Sequence, residues 1–584
     1  MIQGRLAALA PFLPPWRDTL TEKPQLKGNA QTLRPAQITP RPAEEVAGWL
    51  TEIGLDSSLA QISDQPITGI TLDSREVQPG DLYVALGGAR AHGASFLSSA
   101  LELGAVAMLT DAAGLKIAQG SQALPEGFSV IVTDQVRKAI GPLAARIYSS
   151  QPAGGAGPRL FGITGTNGKT TSTYMTNSIM QALGHTTGLI GTIEILAGGQ
   201  AIPSKLTTPE SPHVHSLIAL MRQQGITSAA MEVSSHALDY HRVDGVRYDV
   251  AGFTNLTQDH LDLHGTMQSY FESKAELFTP ERTRRAVITV DDEWGQKMAD
   301  VAVKQLGTLA VVRLATNYGA GYADDLAGAP HLGQLDWALT QVAREGIGHS
   351  FTLRRGDGFE LKSSTHLPAD FNVSNAALAA LMVFESAQNE VERSRIVEVL
   401  AQPETLTPVV PGRMQLISTE PTALVDFAHN PDALKRALEA IEPASEDGKV
   451  IIVFGATGER DQTKRPLMGE IAATYADLVI VTDDDPHGED PAPIREAVAG
   501  GAQAAVDSGA RAQQVLNIEP RTRAIDEAIA LAGPHDSILV AGRGHEVAQD
   551  VAGTDIEMDD RVETARALLA AGFSVLPAYQ NLQK

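Results

Sequence analysis

Apolar and polar positions recur in a fixed order along the last third of the chain. Apolar runs within KVIIVFGATGERD (Lys449–Asp461), DLVIVTDDDPHGED (Asp477–Asp490) and DSILVAGRGHE (Asp536–Glu546) each end in a loop of small and polar residues. Short runs without internal alternation read as strands covered on both faces, and the helix-like patterns between them imply a parallel sheet. A ligand of such a sheet lies beyond the carboxyl ends of its strands, so the three loops are expected to meet at one crevice. Nearer the N-terminus, DLYVAL (Asp81–Leu86) precedes the helix-like FLSSALELGA (Phe96–Ala105). Between these regions RLFGI (Arg159–Ile163) reads as a buried strand, and TTSTYMTNSIMQALG (Thr170–Gly184) as a helix with a glycine cap. The fold class is α/β.

At 584 residues the chain exceeds the roughly 250–300 residues at which single cores stop growing. Proline-rich stretches divide it. Residues 1–42 contain many prolines and read as an extension; SSQPAGGAGP (Ser149–Pro158) and QPETLTPVVPGR (Gln402–Arg413) read as boundaries. The expected units are therefore 43–155, 156–403 and 404–584. No repeat of solenoid period is present in the sequence.

Composition narrows the chemistry. With no cysteine, thiolate catalysis and zinc–thiolate sites are excluded, and any metal must be held by oxygen or imidazole. A formal charge of −24 without a Lys/Arg cluster argues against a nucleic-acid partner. No apolar stretch reaches the roughly 20 residues of a membrane span. The proline-cut start MIQGRLAALAPFLPP reads as a cytoplasmic leader rather than a signal peptide. A cytoplasmic monomer is expected.

GITGTNGKTTS (Gly162–Ser172) joins the central strand to its helix. Free N–H groups at a helix N-terminus favour an anion, Lys169 adds a full positive charge, and the Thr170 hydroxyl suits Mg²⁺. These are the parts of a nucleotide triphosphate site. One departure is Ile163, which stands where the strict pattern has glycine. Downstream, AAMEVSSHALDYHRV (Ala229–Val243) and FTNLTQDHLDLHG (Phe253–Gly265) carry Glu232, His236, Asp259, His260, Asp262 and His264. Such oxygen and imidazole donors suit Mg²⁺ or Mn²⁺ beside phosphates.

These stretches, with TTPES (Thr207–Ser211), SYFESKAELF (Ser269–Phe278), FNVSNAALAA, PGRMQ, DFAHNPDAL, GATGERDQTKRP, TDDDPHGEDP and GRGHE, occur in an order that resembles the Mur ligases. The resemblance is most specific to members that add the third, diamino residue to the peptidoglycan precursor. GITLDSREVQPGDLYVAL (Gly69–Leu86) is similar to their UDP-binding domain. The resemblance implies three domains, holding UDP, ATP at a phosphate loop, and the amino acid on a Rossmann-like fold. It implies ATP-dependent phosphorylation of the D-glutamate γ-carboxylate of UDP-MurNAc-L-Ala-D-Glu, then attack by the amine of the diamino acid.

By the same resemblance, Gly165, Thr166, Asn167, Gly168, Lys169, Thr170 and Thr171 cradle the phosphates, with Asn375, Arg413, Asp426 and His429 closing around ATP. Mg²⁺ falls to Thr170, Glu232, His260 and Lys274, the last as a carbamylated lysine; Lys169, Glu232, His260 and Lys274 form the catalytic set. Ser74, Arg75, Thr207, Thr208, Ser234 and Arg242 correspond to contacts with the UDP-muramoyl dipeptide. Asp484, Asp485, His487, Gly542 and Glu546 correspond to the amino-acid site. His92 stands where the family usually has aspartate.

Members that use diaminopimelate carry Asp-Asn-Pro-Arg, where this chain has Asp484, Asp485, Pro486 and His487. A histidine cannot reproduce a bidentate guanidinium grip on a carboxylate. The acids Asp484, Asp485, Glu489, Asp490 and Glu546 around that loop attract an ammonium-tipped side chain. The expected amino acid is therefore L-lysine, ahead of L-ornithine and meso-diaminopimelate. Folylpolyglutamate synthetase, a relative of the Mur ligases, is disfavoured because it lacks the UDP-binding module. A non-catalytic nucleotide-binding scaffold would need no second metal site.

Overall fold

The computed structural model describes residues 34–583 except 89–90, 122–123, 153, 155–156, 198–199, 205, 317–335 and 444. Most of the extension expected at 1–42, and part of the linker expected at 149–158, lie outside the described residues. The described end of that extension is not a free appendage. Arg34 grips the fully buried Asp81 carboxylate with two hydrogen bonds, at 2.5 and 2.8 Å, and the backbone of Arg41 pairs with Ile67. Burying Asp81 is tolerable only because it is paired in this way.

Three α/β units follow one another. The first contains a five-stranded sheet in which Gly69–Thr71, Asp81–Ala85, Ala107–Thr110 and Ser129–Val132 run parallel and Ser58–Gln61 antiparallel at the edge. The helix expected over Phe96–Ala105 is shorter, Leu97–Glu102, preceded by a 3₁₀ turn.

The second unit is built on an eleven-stranded sheet. At its centre Arg159–Thr164 lies between the parallel strands Ser228–Glu232 and Tyr248–Phe253. Helix Lys169–Ala182 covers one face together with Phe371–Glu385, where Met175 and Ile179 join Leu378 and Leu381 in one apolar cluster. Helix Ser211–Gln223 buries Val214, Leu217, Ile218 and Met221 in the cluster on the other face. Each such side chain removed from water contributes roughly 1.5–3 kcal/mol. The strands Trp337–Glu345, Gly348–Arg355 and Glu360–Thr365 extend one edge as an antiparallel meander.

In the third unit the three apolar runs form the adjacent parallel strands Ser537–Ala541, Val450–Phe454 and Leu478–Val481, as their patterning implies. Their loops meet at the carboxyl ends: Gly458 N–H donates to Asp485 O at 2.8 Å, and the Arg543 guanidinium donates to the Asp485 carboxylate. Among the described residues no helix is long and apolar enough to cross a membrane.

Candidate active site

The turn expected to hold phosphates is shaped by two glycines. Gly165 has φ +144° and Gly168 φ +88°; a Cβ at either would collide, with Thr254 Oγ1 and Asn375 Oδ1 respectively. Both positions therefore require glycine, whereas Ile163 sits in the strand and is fully buried, so its departure from the strict pattern costs nothing here. The Lys169 ammonium curls back onto the carbonyls of Gly165 and Thr166, at 2.9 and 2.8 Å.

Glu232 ends its strand beside this turn with its side chain fully buried. Its carboxylate accepts the Thr170 hydroxyl at 2.9 Å, and the Thr192 N–H and hydroxyl at 2.8 and 3.0 Å. A buried carboxylate at the end of a strand, already gathering hydroxyl and N–H partners, is an oxygen donor of the kind that suits a divalent metal. Lys274 is 1% exposed on helix Met267–Ala275, so it is not a solvated helix lysine. Its Nζ donates to Gly165 O at 2.9 Å and lies 4.4 Å from the Tyr270 ring centre, and burial, reinforced by Lys169, holds it well below the usual lysine range. The His260 ring stands edge-on to His236 at 4.9 Å and is kept neutral by burial. Among the described residues no three His, Asp or Glu side chains form a ready metal cage. Mg²⁺ needs no such cage, since it is commonly held by one or two carboxylates plus substrate phosphates.

A single cavity of about 720 Å³ gathers most of the expected residues. Residues 166–171 of the turn, Glu232 and His260 line it. So do the expected peptide contacts Thr207, Thr208, Ser234 and Arg242, and the expected nucleotide contacts Asn375, Arg413, Asp426 and His429. Asn375 lies inside helix Phe371–Glu385 rather than capping one. Arg413 stacks its guanidinium 4.2 Å from the Phe427 ring centre instead of forming a surface ion pair. Asn255 and His545 also line the cavity, from within FTNLTQDHLDLHG and GRGHE, as does Thr192, which nothing in the sequence pattern singles out.

Ser74 and Arg75 lie away from this cavity in the first unit. Ser74 is buried, while Arg75 is largely exposed and bonded to Asp73 at 2.6 Å. His92 caps its own turn, with Nδ1 accepting from Ala94 N–H at 3.1 Å.

Of the amino-acid positions only Glu546 lines the cavity; Asp484, Asp485, His487 and Gly542 do not. Here the structure corrects the expectation of an uncompensated negative pocket, which had favoured L-lysine. A guanidinium stands among the acids: Arg543, 0% exposed, bonds Asp485 and lies 3.6 Å from Glu546. Glu546 itself is pushed up to about 8, by burial first and by Asp484 next. At neutral pH it is therefore largely uncharged. Glu489 is bound by Arg465 at 2.8 Å, and Asp490 caps helix Pro491–Asp507. The sign of charge no longer selects lysine. His487 adopts φ +51° and bonds Asp550 at 2.8 Å.

A glycine turn at a helix N-terminus, with an acid on its threonine and a separate α/β unit facing it across one cavity, is an arrangement suited to a nucleotide-dependent ligase or transferase. Three family models match in order: Mur ligase family, catalytic domain, at residues 66–148; Mur ligase middle domain at 163–383; and Mur ligase, glutamate ligase domain, at 412–544. The chain is 40% identical over 546 residues to the UDP-N-acetylmuramyl-tripeptide synthetase of Leifsonia xyli, covering 92% of this chain and 99% of that protein. It is 40% identical over 530 residues to the UDP-N-acetylmuramoyl-L-alanyl-D-glutamate--2,6-diaminopimelate ligase of Streptomyces coelicolor, covering 90% and 96%. A solved structure of a ligase with that name aligns at TM-score 0.58 and 27% identity over 92% of this chain and all of the other. The chain belongs to the Mur ligase family, and it is an ATP-dependent amide-bond ligase.

Proposed function

We propose that this enzyme adds a diamino acid, meso-diaminopimelate, to the D-glutamate of UDP-MurNAc-L-Ala-D-Glu at the expense of ATP, as a step of peptidoglycan precursor synthesis. The observation that carries the reading is the common cavity shared by the phosphate turn, Glu232, the Thr208–Ser234–Arg242 group and the groups of the third unit. In this reading residues 43–155 bind UDP, 156–403 bind ATP, and 404–584 bind the amino acid and cover the nucleotide.

A γ-carboxylate oxygen of the dipeptide attacks the terminal phosphorus and ADP leaves. The amine then attacks the acyl carbon and phosphate departs. Lys169 and the turn's N–H groups neutralise charge on the phosphates, and Arg413 and His429 hold the nucleotide from the other side. Thr170 and Glu232 would hold one Mg²⁺, with His260 and a carbamylated Lys274 at a second position; the metal would supply charge neutralisation at the transferred phosphoryl group. The donor set fits: a hydroxyl and a carboxylate already 2.9 Å apart, and a neutral imidazole. Apposition of the third unit keeps water from the acyl phosphate.

The diaminopimelate reading is supported by the names of the relatives, and the pairing of Arg543 with Asp485 removes the charge argument for lysine. The test offers purified enzyme, with ATP and UDP-MurNAc-L-Ala-D-Glu, equal amounts of lysine, ornithine and meso-diaminopimelate, and weighs the product. A tripeptide ending in diaminopimelate is expected. Exclusive lysine incorporation removes the amino-acid assignment alone, and no peptide product with any of the three removes the reaction.

A further inference from the structure

Glu210 ends the segment that carries Thr207 and Thr208 and sits directly before helix Ser211–Gln223. An acid at this position would ordinarily accept an N–H of the helix's first turn, but its side chain makes no capping bond. The carboxylate is shared between two arginines instead. Oε1 accepts Nε–H of Arg242 at 2.9 Å, and Oε2 accepts Nη1–H of Arg137 at 2.7 Å. Arg137 belongs to helix Val136–Ile147 of the first unit, so the contact crosses between units. The Tyr240 ring lies beside both guanidinium groups, 5.5 Å from that of Arg242 and 5.9 Å from that of Arg137. A second cross-unit pair, His213 with Glu76 at 3.1 Å, stands one turn along the same helix.

An arginine side chain has many rotamers, and its fork is selective only when its plane is fixed. Glu210 on Nε, Tyr240 on one face and Thr208 O on Nη1 at 3.4 Å fix the plane of Arg242. Nη2 makes no hydrogen bond among the described residues, and Arg242 lines the cavity beside Thr208 and Ser234. Its remaining donor is thus available to an anion in the cavity.

We infer that Glu210 is a positioning residue for the muramoyl-peptide substrate: it orients Arg242 toward the substrate's carboxylates and, through Arg137, couples that orientation to the UDP-binding unit. The inference rests on the substrate proposed above. Glu210 itself does not line the cavity, so it acts through Arg242.

The test titrates wild type, Glu210→Gln, Glu210→Asp, Arg137→Ala and the Glu210→Gln/Arg137→Ala double variant with UDP-MurNAc-L-Ala-D-Glu. In parallel it uses UDP-N-acetylglucosamine, which carries no carboxylate. Glu210→Gln is expected to weaken the dipeptide substrate about tenfold in Kd and KM, with KM for ATP, kcat and UDP-N-acetylglucosamine affinity held within about twofold. Glu210→Asp recovers part of the loss. Arg137→Ala loses less than Glu210→Gln, and the double variant loses no more than Glu210→Gln alone, because both act on one guanidinium. Equal losses for both sugar nucleotides indicate general disruption of the site and overturn the inference, as does unchanged dipeptide binding in every variant. Wild type that binds neither sugar nucleotide removes the proposed substrate, and the inference with it; wild-type binding with unaffected variants removes the inference alone.

Discussion

The Asn167 side-chain amide, in the glycine-rich turn, donates to the Asp432 carboxylate of the third unit at 2.9 Å. Asn430 completes the link: its amide reaches Asn167 Oδ1 at 3.3 Å and Asp259 at 3.2 Å, while its own Oδ1 caps helix Pro431–Glu439. The glycine-rich turn and the third unit are therefore joined directly by side chains.

Loss of that link should loosen the third unit before any ligand is added. In Asp432→Ala the radius of gyration of the ligand-free enzyme, measured by small-angle scattering, is expected to rise and to return toward the wild-type value with an ATP analogue. A partly exposed hydrogen bond of this type is worth about 1 kcal/mol, enough to shift the population of apposed units severalfold. An unchanged radius counts against a latch.

Lys274 gives a second prediction. Carbamylation requires a neutral amine, and burial together with Lys169 holds the Lys274 amine well below its usual range. Lys274→Ala and Lys274→Arg are both expected to lower kcat by about 10²-fold or more, because Arg keeps a cation but cannot form the carbamate. Depleting carbon dioxide should lower wild-type activity and bicarbonate should restore it. Full activity of Lys274→Arg sinks the carbamate reading.

What the sequence discloses and what it conceals follow from the range of each interaction. The strand Arg159–Thr164 and helix Lys169–Ala182 are legible because periodicity, two turn glycines and a cap glycine lie within about two dozen residues. Thr192 is not legible: it stands in an ordinary turn and meets Glu232 only because Thr187–Ile190 pairs with Ser228–Glu232 in the sheet. Asp432 and Glu210 are concealed for the same reason, since one partner of each, Asn167 and Arg137 respectively, comes from another unit. Acids can be counted in the sequence, but that Arg543 bonds Asp485 and Arg465 bonds Glu489 depends on how three loops converge. The expectation of lysine followed from the count and not from the pairing.

Arg521 and Asp560 form a fully buried bidentate pair at 2.7 Å, and the same guanidinium donates to Asp483 O and Ala541 O, tying together the ends of two crevice strands. Removing one partner of a buried pair leaves a charge without compensation. Asp560→Ala is expected to destabilise the enzyme by about 3–5 kcal/mol, read as a lower midpoint in chemical denaturation. A loss under about 1 kcal/mol would mean that the site relaxes or admits water.

The crevice chemistry can be tested by returning an arginine to the loop. His487 bonds Asp550 on the hairpin strand Ala548–Val551, and its backbone pairs with the same strand. His487→Arg adds a second guanidinium to the unit proposed above to bind the amino acid. The ratio of kcat/KM for meso-diaminopimelate over lysine is expected to rise about tenfold, a typical increment for one charge-assisted hydrogen bond. Competition with both amino acids measures the ratio directly, and a fall in it would mean that the distal carboxylate lies elsewhere.

Glu546 links the crevice to pH. Its carboxyl is pushed from an ordinary 4.5 up to about 8, chiefly by burial and then by Asp484, while Arg543 opposes the shift. The folded state thus holds this proton more tightly than the unfolded state does. The contribution is fully present below about 4.5 and is lost as pH rises through about 8. Replacing Glu546 by glutamine mimics the protonated form at every pH. The stability of Glu546→Gln relative to wild type should therefore increase between pH 5 and pH 9, measured as the difference in thermal midpoints. An ammonium-bearing substrate favours the ionised form, so saturating diamino acid should release a proton from wild type near pH 7, detectable as a dependence of the binding enthalpy on buffer ionisation. Glu546→Gln should show no such release. A stability difference independent of pH, together with proton release in both proteins, would assign the titration to another group.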